Sequence, residues 1–378
     1  MFVCGNAVAS ILLDDWARAS PLAATFFLAN ATSQGIHLAL LMKKSVFSAG
    51  LLLLSGAIAA VAAPFTSKGI PDTVQGIVHV DLEAFLKSSV GQAVQKKAGE
   101  STGADGKSFR AQKEELQKEF GLDIFKDFSS ITAGVIAPGQ KSDGEPEFVV
   151  IVRGKFTPSK FLAGALNKKG SKKSTVKLVH IGEYPFLKGK KVVDLVGDDD
   201  EGLLGIFDPN TLILIPNGKE ALAKAAIAAL EGTGKSFAAP AALTAQGKQV
   251  GTPLVLAYLD GKIFGDIRDP DVLPPKKAHL ALGESGPASK LRVALEYATA
   301  ADAQKTQATV QATIGMLQMF ALNPAGDDGK PDPKKVAQAA QAKKFFDALK
   351  INVTGNAFVV ALDIASADIV QAMTENMK

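Results

Sequence analysis

From residue 76 onward, two periodicities alternate along the chain. Gly76-Ile77-Val78-His79-Val80-Asp81-Leu82 alternates apolar and polar positions and is rich in β-branched residues, which predicts a strand. Glu83 to Lys97 changes to a helical repeat, with Phe85, Val90 and Val94 among its apolar positions. A second helix is expected from about Ser108 to Phe120, where Phe109, Leu116 and Phe120 share a face and Gly121 supplies the stop. Ile131–Ala137 and Phe148–Val152 read as strands, joined by the turn-rich Pro138–Glu147 loop. Thr157-Pro158 opens a helix to about Asn167, with Thr as cap and Pro at the first helical position. Val176–Ile181 follows as a strand, and Gly202–Phe207 with Leu212–Pro216 as a hairpin. Asn217 is expected to cap an Ala-rich helix ending near Glu231, with Glu220 in the reciprocal position.

The Gly-, Ala-, Pro- and Ser-rich stretch Gly232–Gly251 breaks this rhythm, and 236–250 is read as a linker. The pattern then restarts. Pro253–Asp260, His279–Leu282 and Leu291–Tyr297 are strand-like. A long helix capped by Thr299 with Asp302 at N3 runs to about Leu322, with Ala303, Val310, Ile314, Leu317 and Ala321 as its inward stripe. Lys334–Leu349 is a further helix, Ile351–Thr354 and Phe358–Ile364 form a hairpin across Gly355-Asn356, and Ala367–Lys378 is helical.

Each half, 63–235 and 251–378, thus reads as β-α-β-β-α-β. That ferredoxin-like order suits an α+β fold in which an antiparallel sheet carries helices on one face. The openings Val78-His79-Val80-Asp81-Leu82 and Leu256-Ala257-Tyr258-Leu259-Asp260 look alike, which implies an internal duplication.

Before residue 76 the pattern is of another kind. Met42-Lys43-Lys44 precedes an apolar run from Ser45 to Val61, which ends in Ala60-Val61-Ala62. A basic end, an apolar middle and small residues at −3 and −1 define a secretory signal over 42–62, with cleavage after Ala62 set by Ala60 and Ala62. Residues 1–41 then read as a mis-assigned extension upstream of a true start at Met42, with a long natural leader as the alternative. The competing reading is a retained membrane anchor, since the run approaches the ~20 residues needed to span a bilayer. No later segment approaches that length, so no membrane span is expected after cleavage, and the address is periplasmic or secreted.

Composition adds exclusions. The single Cys (Cys4) and single Trp (Trp16) both precede the expected cut, which removes disulfides and thiol chemistry from the mature chain. Lys and Arg number 42 against 38 Asp and Glu, and a net charge of +4 gives no nucleic-acid footprint.

The order of elements resembles a group of exported, two-half bacterial proteins of unknown function. The resemblance rests on Gly121-Leu122-Asp123 before Asp127, on Val152-Arg153-Gly154-Lys155-Phe156 before a helix, and on the Phe207–Asn217 hairpin. It implies the fold and the address, and carries no catalytic residues with it.

Candidate chemistry is sparse. Gly234-Lys235-Ser236 mimics the end of a phosphate loop, but position 229 is Ala and the motif follows a helix. Ser174-Thr175-Val176-Lys177 has S-x-x-K spacing on a strand, where i and i+3 face apart. Gly283-Glu284-Ser285-Gly286 misses the nucleophile elbow by one residue. His79, His180 and His279 all fall on strands without metal-ligand spacing, although His79 and Asp81 share a face. Asp194, Asp198-Asp199-Asp200-Glu201 and Asp327-Asp328-Gly329 lack the alternation of a Ca²⁺ loop. Lys168, Lys169, Lys172, Lys173, Lys188, Lys190 and Lys191 concentrate positive charge and make a candidate anion-binding patch. No catalytic, cofactor or metal residue is assigned. The expected role is a non-catalytic binding or scaffolding protein of the periplasm or cell envelope, with a protein or an anionic envelope component as partner. The alternative is a periplasmic hydrolase whose site assembles only in three dimensions.

Overall fold

A computed structural model describes residues 65–98, 114, 117, 123–137, 146–160, 162, 176–189, 201–264, 273–322 and 333–376. The signal positions Ala60 and Ala62, and most of the helix expected over 108–120, lie outside them.

The strands are β1 Gly76–Asp81, β2 Phe128–Ile136, β3 Glu147–Gly154, β4 Lys177–Ile181, β5 Tyr184–Gly189, β6 Gly202–Asp208 and β7 Thr211–Ile215, then β8 Thr252–Asp260, β9 Lys277–Ser285, β10 Ala288–Glu296, β11 Leu349–Thr354 and β12 Ala357–Ala365. They form one 12-stranded sheet in the order β11-β12-β10-β9-β8-β1-β2-β3-β7-β6-β5-β4. Every pairing is antiparallel. The α+β class therefore holds, with a different assembly from two separate sheets. β1 and β8 pair directly, Val78 opposite Ala257, and join strands β1–β7 to strands β8–β12 edge to edge. Within each half the first three strands pair in sequence instead of interleaving as a split β-α-β unit would. The two openings that look alike in sequence are these two pairing strands.

Paired residues in an antiparallel sheet share a face, so register alone sorts the core. One row runs Ile206–Leu212–Val152–Ile131–Val80–Val255–Leu282–Leu291–Leu362–Leu349, apolar from β6 to β11. This face, called B, is covered by α1 (Leu82–Lys87), α2 (Ser89–Ala98), α6 (Ala300–Ala321) and α7 (Pro333–Ala348). α3 (Ile124–Asp127) leads into β2, and α8 (Ser366–Asn376) packs on α2 and β12. The opposite face, A, carries α4 (Glu220–Glu231) over β3, β6 and β7, and α5 (Ala241–Gln249) over β8 and β9. The segment expected as a linker, 236–250, thus contains a helix whose Leu243 is buried in the face-A core. Gly205 is needed there because a Cβ would stand 2.3 Å from the Phe186 ring.

Local details depart from sequence expectation for identifiable reasons. The helix expected as one piece over 83–97 breaks at Ser88, whose Oγ accepts from Gly91 N at 2.9 Å and caps a fresh N-terminus, while Glu284 of β9 accepts from Ser89 N at 3.0 Å and Val90 N at 3.4 Å. Asn217 does not cap α4; that position is Lys219, without a side-chain cap. Thr299 and Asp302 do form the reciprocal box, each side chain accepting the other's backbone N–H at 3.2 Å.

Candidate functional site

Face A changes character where α5 ends. Ile77, Tyr258, His279 and Ala294 form one cross-strand row, and the next row outward places Asp260 opposite Lys277 and Lys277 opposite Glu296. Tyr258 and His279 are buried, with ring centroids 5.2 Å apart. His279 Nε2 lies 3.2 Å from Glu296 Oε1, and Lys277 Nζ lies 3.9 Å from Oε2 of the same carboxylate. A carboxylate only accepts, so the neutral imidazole holds its proton on Nε2 and donates it to Glu296. Nδ1 is then a buried acceptor with no partner among the described residues. Burial pushes the His279 pKa down, against the pull of Glu296.

Beside this pair a cleft of about 220 Å³ opens, lined by Asp72, Thr73, Val74, Gln75, Phe237, Tyr258, Asp260 and Lys262. Its walls are fixed by backbone. Gln75 N donates to Val135 O at 2.9 Å, Asp260 N donates to Gln75 O at 2.8 Å, and Phe237 N donates to Ile70 O at 2.7 Å. Lys262 N donates to Asp260 Oδ1 at 3.0 Å, an Asx turn that aims this carboxylate. The Tyr258 hydroxyl points to Asp260 Oδ2 at 3.5 Å. Burial first, then the charge of Asp260, raise the Tyr258 pKa and keep the phenol protonated. Asp72, Thr73 and Lys262 are exposed at the rim.

The residues singled out from sequence fall elsewhere. Of the lysine patch only Lys188 is among the described residues, and its Nζ lies 3.4 Å from Glu220 Oε1; Lys168, Lys169, Lys172, Lys173, Lys190 and Lys191 lie outside them, as do Ser174, Asp194, Asp198–Asp200 and Asp327–Gly329. His79 is buried in mid-sheet, with Nδ1 2.9 Å from Thr132 Oγ1 and the Phe65 ring edge-on at 5.3 Å. Asp81 accepts from Ala84 N at 2.8 Å and caps α1. His180 is exposed on the edge strand β4. Ser236 donates to Ala229 O and Lys235 O accepts from Asp72 N, so Gly234-Lys235-Ser236 ties the end of α4 to the chain before β1. Glu284 is the acceptor at the start of α2 already described. Among the described residues no group of three or more His, Cys, Asp or Glu is placed to hold a metal ion, and no helix is long and apolar enough to cross a membrane.

Fold and site define an α+β protein with one continuous antiparallel sheet and a small polar cleft on one of its faces. No family model matches the chain, and no curated protein does. Among solved structures, crystal form I of TP0453 aligns at TM-score 0.40 and 11% identity, covering 83% of this chain and 98% of that one. Crystal form III of TP0453 aligns at TM-score 0.43 and 10% identity, covering 83% and 99%. Likeness at that level assigns no function to this chain.

Proposed function

We propose that the protein is exported and acts in the periplasm or cell envelope as a non-catalytic binding protein. The observation that carries the reading is the cleft, built by backbone hydrogen bonds between the segment before β1 and the end of β8. A concave site fixed by main chain and lined by a few polar groups suits recognition. The leader pattern ending in Ala60-Val61-Ala62 supports export. The lysine patch is a second docking candidate, for an anionic envelope component. The duplication reading is supported by layout: each flank is a three-strand meander whose later strands return from the sheet edge inward.

One observation favours the hydrolase alternative, the His279–Glu296 pair beside the cleft. It weighs less, because the His279 side chain is 1% exposed and its Nδ1 meets no hydroxyl among the described residues. A general base must reach its substrate's proton.

Native mass spectrometry of the periplasmic fraction, after expression from Met1, tests the proposal. A chain beginning at Ala63 and carrying extra non-covalent mass is the expected result. A membrane-fraction chain retaining residues 1–62 would overturn export, and turnover of ester or phosphoester substrates lost in His279→Gln would favour the hydrolase.

A further inference from the structure

The sheet has two open edges, and they are built differently. β4 ends one side and β11 the other, and among the described residues neither has a neighbour beyond it. β4 exposes Lys177, Leu178 and His180, so both of its faces show side chains to water, and Ile181 alone is buried. β11 alternates without a break. Lys350, Asn352 and Thr354 are exposed on face A, while Leu349, Ile351 and Val353 are half-buried on face B, in the core that α6 covers. Natural edges are blunted by proline, by bulges or by charge. β11 has no proline, and its register with β12 is continuous over all six residues. Lys350 is its one charge, and it opposes only a partner that sets a cation across from it. The turn decides which backbone groups face outward. Gly355-Asn356 is a two-residue turn, so Thr354 and Ala357 close the hairpin as a hydrogen-bonded pair, and such pairs recur at every second residue. Asn352 and Lys350 therefore bond to β12, and Ile351 and Val353 turn their N–H and C=O groups to the open side.

We propose that β11 is a self-association edge, through which two copies of this chain pair antiparallel about Ile351 into one continuous sheet. A two-fold axis perpendicular to the sheet keeps face A beside face A and face B beside face B. On face B, Ile351 then meets the partner's Ile351, and Leu349 meets the partner's Val353, so the apolar row continues between two copies of α6. On face A, Lys350 meets the partner's Asn352, and no like charges stand opposite each other. A slip by two residues that set Lys350 against the partner's Lys350 is disfavoured by that repulsion. The edge is thus complementary to itself in apolarity, in charge and in its free backbone groups. A lone foreign strand fits less well, because it brings no helix to cover its own face-B side chains.

Sedimentation equilibrium of the exported chain between about 1 μM and about 1 mM, with amide hydrogen exchange at both ends of that range, tests the proposal. One strand pair is a small interface, so a dimer that dissociates in the micromolar range is expected. The Ile351 N–H is open to water in the monomer and should exchange at least about tenfold more slowly in the dimer. The Asn352 N–H is bonded to β12 in both states and serves as the reference. The Asn352 side chain is exposed, so changing it leaves the ladder to β12 intact. Asn352→Lys places two like-charge pairs across the axis and should weaken the dimer about fivefold. Asn352→Asp places two opposite-charge pairs there and should tighten it about fivefold, and both effects should shrink in high salt. A monomer throughout the concentration range overturns the proposal. A dimer in which Ile351 exchanges as fast as in the monomer has its interface elsewhere and overturns it too. Equal weakening by both variants would rule out pairing about Ile351.

Discussion

The row of face A that begins at Gly205 and ends at Lys350 passes through two environments. It reads Gly205–Ile213–Ile151–Thr132–His79–Leu256–Ala281–Arg292–Ala361–Lys350, apolar at one end and charged at the other. The face-B row beside it stays apolar throughout. The first flank is covered on both faces, by α4 on A and by α1, α2 and Phe156 on B. On the second flank α6 and α7 cover face B alone, and no helix of the described residues lies on face A of β10, β12 and β11. Sequence follows cover. Thr211–Ile215 reads TLILI and is buried at four of its five positions, whereas Leu349–Thr354 reads LKINVT and alternates strictly, with Lys350, Asn352 and Thr354 exposed on the uncovered face. A strand buried on both sides reads as a continuous apolar run, and a strand with one wet side alternates. One sheet contains both kinds, and the change occurs at β8 and β9, where the cleft opens.

The largest effect belongs to the doubly covered flank. Ile213 is 0% exposed and packs in the face-A core beneath α4. Ile213→Ala should cost about 3 kcal/mol, the usual price of an aliphatic truncation where neighbours cannot collapse into the space. Urea denaturation would show the midpoint falling with an unchanged slope. A loss under about 1 kcal/mol would mean that α4 does not seal this face.

A smaller effect, visible as a pH slope, belongs to the boundary. Burial lowers the His279 pKa from 6.5, so the folded chain binds fewer protons than the unfolded chain once pH drops below that value. Stability contributed by the neutral ring is fully present above about pH 6.5 and is lost as pH falls toward the folded-state pKa. In His279→Gln this slope should be reduced relative to the parent, measured by denaturation at a series of pH values. The Lys277 charge acts in the same direction as burial, while Glu296 opposes it. An unchanged slope in the variant would place the titration elsewhere.

How much of this was legible depended on range. The hairpin of Ile351–Thr354 and Phe358–Ile364 across Gly355-Asn356, and the Thr299–Asp302 box, are local signals, and both read correctly. β5 was missed because Tyr184-Pro185-Phe186 carries a proline in a short run, yet pairing with β4 and β6 makes it a strand. The break at Ser88 has a local part, the serine's own cap on Gly91 N, and a part that no local pattern shows, since Glu284 lies 195 residues from Ser89. The cleft was equally hidden, since β1–β8 pairing brings residues 72–75 to residues 258–262. The two similar openings were the only local trace of that pairing, and similarity does not announce contact. The lysine patch stood out for the opposite reason: clustering in sequence is visible whether or not the fold uses it.

The smallest effect is the sharpest test of the comparison, because it contrasts neighbours in the chain. Val359 and Val360 have the same side chain on the same strand and point to opposite faces. Val360 is 4% exposed, in the core with α6 and α7, whereas Val359 sits on the uncovered face and is half-buried. Replacing valine by threonine keeps the shape and adds a hydroxyl, so the cost reports whether water can reach that hydroxyl. Val359→Thr should change stability by less than about 0.5 kcal/mol, and Val360→Thr should cost about 2 kcal/mol. Equal, large losses at both positions would mean that something covers face A in solution, and the second flank would then be buried on both sides like the first. Equal, small losses would instead open the α6–α7 side to water. Only the unequal pair fits a sheet whose cover ends at the cleft.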